Sequence, residues 1–433
     1  MPYKTIPATA VKYALIAFDS AGRERTDDPE GVGALMSRRV LQDAAADPPT
    51  HVFLFSHGWK GDVPAAIDQY NRWIKAMASL EPDIQAMGAS FKPLWIGLHW
   101  PSQPWGDDEL GGNSFEASSV GSNELVERYV NRLGGDPQQV RELLRIIFAE
   151  NDVNAGAMTM PPHVADAYRK LAGAIGKTSG GADAAPEADG VAFDAKAAFE
   201  AGNDAGDAFG GISLGGLLGP LRQLSFWKMK NRARTVGEGG MHTFVASMQQ
   251  ALPNTRFHLM GHSFGCIVVS SVLGGPGGTT PLPRPVDSLV LVQGALSLWA
   301  YADQIPAGGA PGYFNAMIKR GAVRGPIVTT QSKFDTAVGT YYPLAAGLAG
   351  QVAFALDAEL PKFGGVGAFG IQGQGGLTAL EMLAETAPYT FAAGKIYNLE
   401  ASRFIKKMDG ASGAHSDIDG PQVAHMIWQA ARV

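Results

Sequence analysis

The chain alternates between short apolar runs and helical patterns, and this alternation limits the fold more than any other feature of the sequence. Seven runs have the composition of strands: Val11–Phe18, His51–Ser56, Pro93–Trp100, Arg256–Gly261, Ser288–Gly294, Pro326–Gln331 and Lys395–Leu399. Most of them are apolar throughout, which is typical of strands that are covered on both faces of a sheet. We therefore expect a sheet that lies inside the molecule.

Helical patterns lie between and after these runs. The most regular ones are Val63–Leu80, His242–Leu252, Phe264–Leu273 and Pro421–Arg432. In the first of them, apolar residues recur at helical spacing and form one stripe. A repeated order of strand, helix and strand is typical of a mostly parallel sheet with helices on both faces. The sequence therefore predicts an α/β fold.

Residues 103–234 interrupt the alternation, because they contain no clear strand. Helical patterns occur at Ser122–Leu133 and Pro137–Glu150, and a tract rich in glycine and alanine follows from 173 to 219. We predict a core formed by residues 1–102 and 235–433, with 103–234 inserted as a helical cap or lid. A second glycine-rich stretch, 340–388, is predicted to be ordinary core and surface helix, with a lid or a substrate wall as the alternative.

Composition excludes several classes of protein. Lys and Arg number 35 against 41 Asp and Glu, so the net charge of −6 provides no basic surface for nucleic acid. Cys266 is the only cysteine, which rules out an intrachain disulfide and a multi-cysteine metal site. His57, His99 and His242 lack the spacing of metal ligands, so we expect neither metal nor cofactor. With no signal peptide and no transmembrane run, we expect a cytoplasmic protein.

The strongest motif is the pentapeptide Gly-His-Ser-Phe-Gly at 261–265. It follows the apolar run that ends at Gly261 and precedes a helical pattern, as in a nucleophile elbow. The elbow is a tight turn from strand to helix, so the residues two positions before and after the serine must be small. Gly261 and Gly265 satisfy this requirement, and Ser263 is the predicted nucleophile.

A serine needs a base that removes its proton and a third group that orients the base. Two of the nine histidines, His415 and His425, follow the last predicted strand. His415 lies in a loop, whereas His425 lies within the last helical pattern. We predict that His415 is the base and keep His425 as the alternative.

The acid is expected after the penultimate strand, between the serine and the histidine in the chain. Asp335 follows the run Pro326–Gln331 and fits both conditions, while Asp303 is the fallback. Asp417 and Asp419 come directly after the histidine and are predicted to cap the last helix.

Attack by a serine creates negative charge on the substrate oxygen, and preorganised backbone N–H groups stabilise that charge. The residue after the nucleophile supplies one such group, which makes the amide of Phe264 the first predicted donor. The loop after an early strand supplies the other. His57 and Gly58 let the backbone turn inward there, and the amide of Trp59 is the second predicted donor.

These motifs together resemble the α/β-hydrolase family, in particular its serine esterases and lipases. The resemblance covers residues 11–102 and 235–433, and the large insertion after Trp100 departs from it. It implies an α/β-hydrolase sheet and a hydrolase that cleaves small-molecule or lipid-like esters. The apolar composition of the insertion and of Tyr341–Leu356 favours a hydrophobic acyl group. An amidase or thioesterase would use the same residues, and a non-catalytic binding protein on this scaffold is the rival class.

Overall fold

The computed structural model describes residues 3–26, 35–58, 63–102, 122–154, 157–175, 194–196, 198–200, 216–306, 309–341, 360 and 364–433. Within these ranges, none of the helices is both long and apolar enough to span a membrane.

The described residues form a nine-stranded sheet at the centre of an α/β fold. Its strands are β1 (Tyr3–Thr5), β2 (Lys12–Ala17), β3 (His51–Ser56), β4 (Pro93–His99), β5 (Arg256–His262), β6 (Ser288–Val292), β7 (Ile327–Gln331), β8 (Leu377–Glu381) and β9 (Ile396–Glu400). The spatial order is β1-β2-β4-β3-β5-β6-β7-β9-β8. β1 is antiparallel to β2, and every other neighbouring pair is parallel. The prediction of a mostly parallel sheet is confirmed.

Each of the seven predicted runs overlaps a strand, and the two strands that were not predicted are the edge strands β1 and β8. β8 lies in the stretch 340–388, so the prediction that this stretch is helical is wrong at 377–381. Its residues are half-buried or exposed, and the strand forms because it pairs with β9. Pairing of this kind depends on tertiary contact and leaves little hydrophobic signal in the sequence.

Helices cover both faces of the sheet. They are α1 (Met36–Ala46), α2 (Val63–Ala78), α3 (Glu81–Ala86), α4 (Ser122–Leu133), α5 (Pro137–Asn154), α6 (Pro162–Ala174), α7 (Gly219–Val236), α8 (His242–Ala251), α9 (Gly265–Gly274), α10 (Asn315–Lys319), α11 (Val366–Phe369) and α12 (Pro421–Ala431). α2 and α12 pack with Phe53 and Phe55 of β3 on one face. α1, α8 and α9 pack with Val52 and Leu54 of the same strand on the other. Alternate residues of one strand thus serve two cores.

The insertion between β4 and β5 is helical where it is described. α4, α5, α6 and α7 pack in succession, and α7 also packs against α9. Their buried side chains belong to the same hydrophobic cluster as α9 and the sheet face that carries Val52 and Leu54. The predicted boundary at 234/235 lies within α7, which continues through a π-helical turn at 237–241 into α8. Most of the glycine-rich tract predicted as a lid, namely 176–193 and 201–215, lies outside the described residues.

Candidate active site

Ser263 occupies a sharp turn between β5 and α9. Its φ angle is +57°, in the left-handed region that non-glycine residues rarely adopt. β5 ends at the preceding residue and α9 begins two residues later, at Gly265. This is the strand–turn–helix context that the pentapeptide predicts. Backbone strain of this kind persists only where surrounding contacts impose it, and it is often found at functional sites.

Glycines make room for this turn on three sides. A Cβ atom on Gly261 would lie 2.5 Å from the carbonyl oxygen of Gly265, and one on Gly265 would lie 2.2 Å from that of Ser56. A Cβ atom on Gly58 would lie 2.6 Å from the Cβ atom of Ser263. The expectation that residues 261 and 265 must be small is confirmed, and the loop after β3 meets the turn equally closely.

Ser263, His415 and Asp335 form a continuous chain of hydrogen bonds. The His415 Nδ1 atom donates to Asp335 Oδ2 over 2.8 Å, because a carboxylate can only accept. With its proton on Nδ1, the ring accepts a hydrogen bond from the Ser263 hydroxyl at Nε2, also over 2.8 Å. Asp335 is fully buried, and the His415 side chain is 13% exposed. Three side chains from the segments that follow β5, β7 and β9 thus meet at one edge of the sheet.

Two further groups hold the Asp335 carboxylate. Its Oδ1 atom accepts the backbone N–H of Val338 over 2.9 Å. Its Oδ2 atom accepts a second hydrogen bond from Nε2 of the buried Gln293, over 2.8 Å. Sequence analysis missed Gln293, which lies inside the predicted run Ser288–Gly294, whereas in the structure it directly follows β6, as Ser263 follows β5.

His262, the residue before the serine, connects the turn to the loop that carries His415. Its Nε2 atom donates a hydrogen bond to the carbonyl oxygen of His415 over 2.9 Å. Its Nδ1 atom accepts a hydrogen bond from Nε2 of Gln69 over 3.3 Å. Burial, together with the nearby His415 ring, lowers the pKa of His262 well below its ordinary value. The ring is therefore neutral, as its two hydrogen bonds require. Sequence analysis assigned no role to Gln69.

Buried histidines fix the loop after β3. His57 Nδ1 donates to the carbonyl oxygen of Gly58 over 2.9 Å, within this loop. His57 Nε2 lies 3.1 Å from Nδ1 of His99 and accepts the N–H of Trp100 over 3.3 Å. Burial, reinforced by the charge of Arg25, lowers the pKa of His99 to about 4. Neutral rings thus hold the loop against the turn.

The two predicted oxyanion donors differ in what can be said of them. Phe264 directly follows Ser263, is buried and precedes the first residue of α9. Trp59 lies outside the described residues. Both roles stay predictions.

The alternative acid and base lie in other networks. His425 Nδ1 lies 2.6 Å from Asp83 Oδ2, and His425 Nε2 donates to the carbonyl oxygen of Ala387 over 3.0 Å. Asp303 accepts Nδ2 of Asn315 over 3.1 Å, and its carboxylate is about half exposed. Neither side chain contacts the Ser263–His415 pair in these hydrogen bonds.

The prediction that Asp417 and Asp419 cap the last helix is wrong. Asp417 Oδ2 accepts the backbone N–H groups of Lys406 and Lys407 over 2.9 and 2.8 Å. Asp419 pairs with Arg72 of α2 at 2.9 Å. Gly420 occupies the cap position of α12, without a side-chain hydrogen bond. The carboxylates therefore stabilise the loop that carries His415 instead of the helix end.

The remaining potential metal ligands and the cysteine are not placed for catalysis in the described residues. Among the described residues, no group of three or more His, Cys, Asp or Glu is placed to hold a metal ion. His242 Nδ1 donates to the carbonyl oxygen of Val272 over 2.7 Å. Cys266 is fully buried, and burial raises the pKa of its thiol well above the ordinary value, so the sulfur carries its proton.

Comparison of the chain with protein-family models, with curated proteins and with solved structures found no significant match. The function must therefore be argued from the side chains. A serine hydroxyl that donates a hydrogen bond to one nitrogen of an imidazole, while the other nitrogen donates to a buried carboxylate, is the arrangement that activates a hydroxyl group as a nucleophile.

Proposed function

We propose that this protein is a serine hydrolase of the α/β-hydrolase type, which cleaves carboxylic esters through an acyl-enzyme. The observation that carries the proposal is the chain of hydrogen bonds from Ser263 through His415 to Asp335, with Ser263 at a strained turn between strand and helix. A packing role explains the burial of these side chains. It does not explain why the serine adopts a strained conformation with its hydroxyl on the free nitrogen of an oriented imidazole.

In the proposed reaction, Ser263 Oγ attacks the ester carbonyl carbon while His415 Nε2 takes the hydroxyl proton. The tetrahedral intermediate collapses, the bond to the alcohol oxygen breaks, and His415 gives the proton to the departing alcohol. Water then attacks the acyl-enzyme with His415 as the base, and the acid product leaves. Ser263 regains its proton at the end of the cycle.

Asp335 orients the base throughout this cycle. Because its Oδ2 atom accepts the Nδ1 proton, His415 keeps Nε2 free for the serine. The carboxylate also stabilises the imidazolium ion that forms during attack. Burial and the three groups that donate hydrogen bonds to the carboxylate keep it in one orientation.

The backbone N–H of Phe264 is the first proposed donor to the oxyanion, and that of Trp59 is the second. Removal of one such donor costs about 2.7 to 4 kcal/mol of transition-state stabilisation in a comparable enzyme. Support for Phe264 is its place directly after the nucleophile and directly before the first residue of α9.

We propose a small-molecule or lipid-like ester with a hydrophobic acyl group as the substrate. Its support is the apolar sequence of the insertion and of residues 341–356. The same catalytic residues would cleave amides and thioesters, so the assay must include all three bond types.

The test is hydrolysis of a panel of activated esters, amides and thioesters by the wild type, Ser263→Ala and Ser56→Ala. We expect Ser263→Ala to lose a factor on the order of 10⁶ in kcat, because the triad acts as a unit. Ser56 is the matched control, since its buried hydroxyl has no hydrogen-bond partner among the described residues. A Ser263→Ala variant with more than a tenth of wild-type turnover would exclude Ser263, and a wild type that is inert on the whole panel would favour a binding protein.

A further inference from the structure

Gln293 shares with Ser263 an unusual backbone conformation at the end of a neighbouring strand. Its φ angle is +47°, and among the described non-glycine residues Ala8, Ser263 and Gln293 have φ in the left-handed region. Gln293 directly follows β6, as Ser263 directly follows β5, and both residues are buried. Strain at a buried polar residue indicates that its side chain is needed in one position.

The backbone on both sides of Gln293 binds the backbone of Ser263. The N–H of Ser263 donates to the carbonyl oxygen of Val292 over 3.2 Å, and the N–H of Ala295 donates to the carbonyl oxygen of Ser263 over 3.1 Å. The segment 292–295 therefore lies alongside the turn, and backbone hydrogen bonds join the two left-handed residues.

Every polar group of the Gln293 amide has a partner. Its Nε2 atom donates to Asp335 Oδ2 over 2.8 Å and to the carbonyl oxygen of Gly367 over 3.1 Å. Its Oε1 atom accepts the hydroxyl of Thr330 over 2.8 Å, and the same hydroxyl oxygen accepts the backbone N–H of Gln293 over 3.0 Å. These contacts fix the orientation of the amide. If the amide were reversed, its oxygen would face Asp335 Oδ2 and the carbonyl oxygen of Gly367, which both accept hydrogen bonds.

We propose that Gln293 is a positioning residue for the reaction, which holds the Asp335 carboxylate so that Oδ2 faces Nδ1 of His415. This inference rests on the proposed function. Oδ2 accepts hydrogen bonds from both His415 and Gln293. Gln293 thus links the backbone of the nucleophile to the side chain of the acid, and Thr330 orients Gln293.

Three substitutions separate positioning from packing. Gln293→Met keeps the volume but removes the donor to Asp335. Thr330→Val keeps the shape of the side chain but removes the hydroxyl that orients the amide. Thr329→Val is the matched control, because the hydroxyl of this adjacent buried residue donates to the carbonyl oxygens of Leu291 and, at 3.5 Å, Thr330, and not to the Gln293 amide. Melting temperatures identify variants with a damaged fold.

We expect Gln293→Met to lower kcat on the best ester of the panel about 10- to 100-fold at nearly constant KM, since a hydrogen bond to a charged group is lost. Thr330→Val should lose less, and Thr329→Val should stay within twofold of the wild type. A folded Gln293→Met variant with wild-type kcat would overturn the inference but leave the proposed function intact. A wild type without turnover would overturn the proposed function itself.

The variant Gln293→Glu provides a readout that packing alone does not change. Two adjacent buried carboxyl groups share a proton at low pH, and the introduced carboxyl then donates to Asp335 as the amide does. At higher pH both groups ionise and repel each other, so kcat of the variant should fall with rising pH where that of the wild type stays level. A variant whose pH profile follows the wild type would contradict the positioning role, even if Gln293→Met failed to fold.

Discussion

His262 Nε2 donates a hydrogen bond of 2.9 Å to the carbonyl oxygen of His415, and the centroids of the two rings lie 4.9 Å apart. The residue before the proposed nucleophile therefore holds the backbone of the proposed base. Gln69 from α2 binds the opposite nitrogen of the His262 ring. The relative position of Ser263 and His415 thus depends on the side chain of a third residue, His262.

Replacement of His262 by phenylalanine should impair catalysis more than stability. The substitution keeps a buried aromatic ring but removes the donor to His415, so the loop with the base gains freedom. We expect kcat to fall about tenfold, which corresponds to the loss of one hydrogen bond of about 1 to 1.5 kcal/mol. Steady-state kinetics measure this loss, and Gln69→Leu should show a smaller one. Unchanged kcat in a folded His262→Phe variant would mean that other contacts suffice to fix the loop.

The substitution Asp335→Asn should lower kcat by roughly 10⁴, because an amide stabilises the wrong tautomer of the histidine. Asp303→Asn is the matched control, since this carboxylate binds Asn315 and Lys319. Kinetics on the same ester decide between them. If Asp303→Asn were the damaging change, the acid would have to be reassigned.

The two glycines at the ends of α9 should respond in opposite ways to alanine. A methyl group on Gly265 would lie 2.2 Å from the carbonyl oxygen of Ser56, so Gly265→Ala must displace the backbone at the turn. We expect a loss of about 1 to 3 kcal/mol in the free energy of unfolding. A methyl group on Gly274 would meet nothing within 4 Å, so Gly274→Ala should be neutral or stabilise by up to about 1 kcal/mol. Equal denaturation midpoints for the two variants would contradict this close approach.

Stability should fall in mild acid because buried histidines are kept neutral. Burial, reinforced by the charge of Arg256, lowers the pKa of His51 from 6.5 to about 4. Since the unfolded chain binds a proton on this residue below pH 6.5 and the folded chain does not, its contribution is complete above pH 6.5 and is lost as the pH falls to about 4. Denaturation of the wild type and His51→Asn across this window should show a shallower loss in the variant. Equal slopes would mean that His51 titrates normally in the fold.

Several site residues could be predicted from the sequence because they follow predicted strands. Ser263 and Asp335 each come soon after an apolar run, and parallel strands bring such ends to one edge of the sheet. The glycines around Ser263 indicate the turn. The contact of these side chains with His415 was therefore foreseeable, although their catalytic roles are proposals.

The groups that hold the site could not be found in the same way. Gln293 reaches Asp335 across 42 positions of the chain, through a left-handed conformation that no local pattern indicates. Gln69 is a half-buried polar residue beside the apolar stripe of α2, and that stripe predicts only packing against the sheet. The capping prediction failed because the Asp417 carboxylate accepts hydrogen bonds from the backbone N–H groups of Lys406 and Lys407 in its own loop, and not from the first turn of α12.

Covalent labelling with a fluorophosphonate, followed by mass spectrometry of the peptides, tests the central claim most directly. We predict one phosphonate adduct, located on Ser263, which is absent in Ser263→Ala. Labelling should be strongly slowed in His415→Ala and unchanged in His425→Gln, since His425 binds Asp83 instead of the serine. An unlabelled wild-type protein, or an adduct on any other residue, would contradict the assignment of Ser263 as the nucleophile.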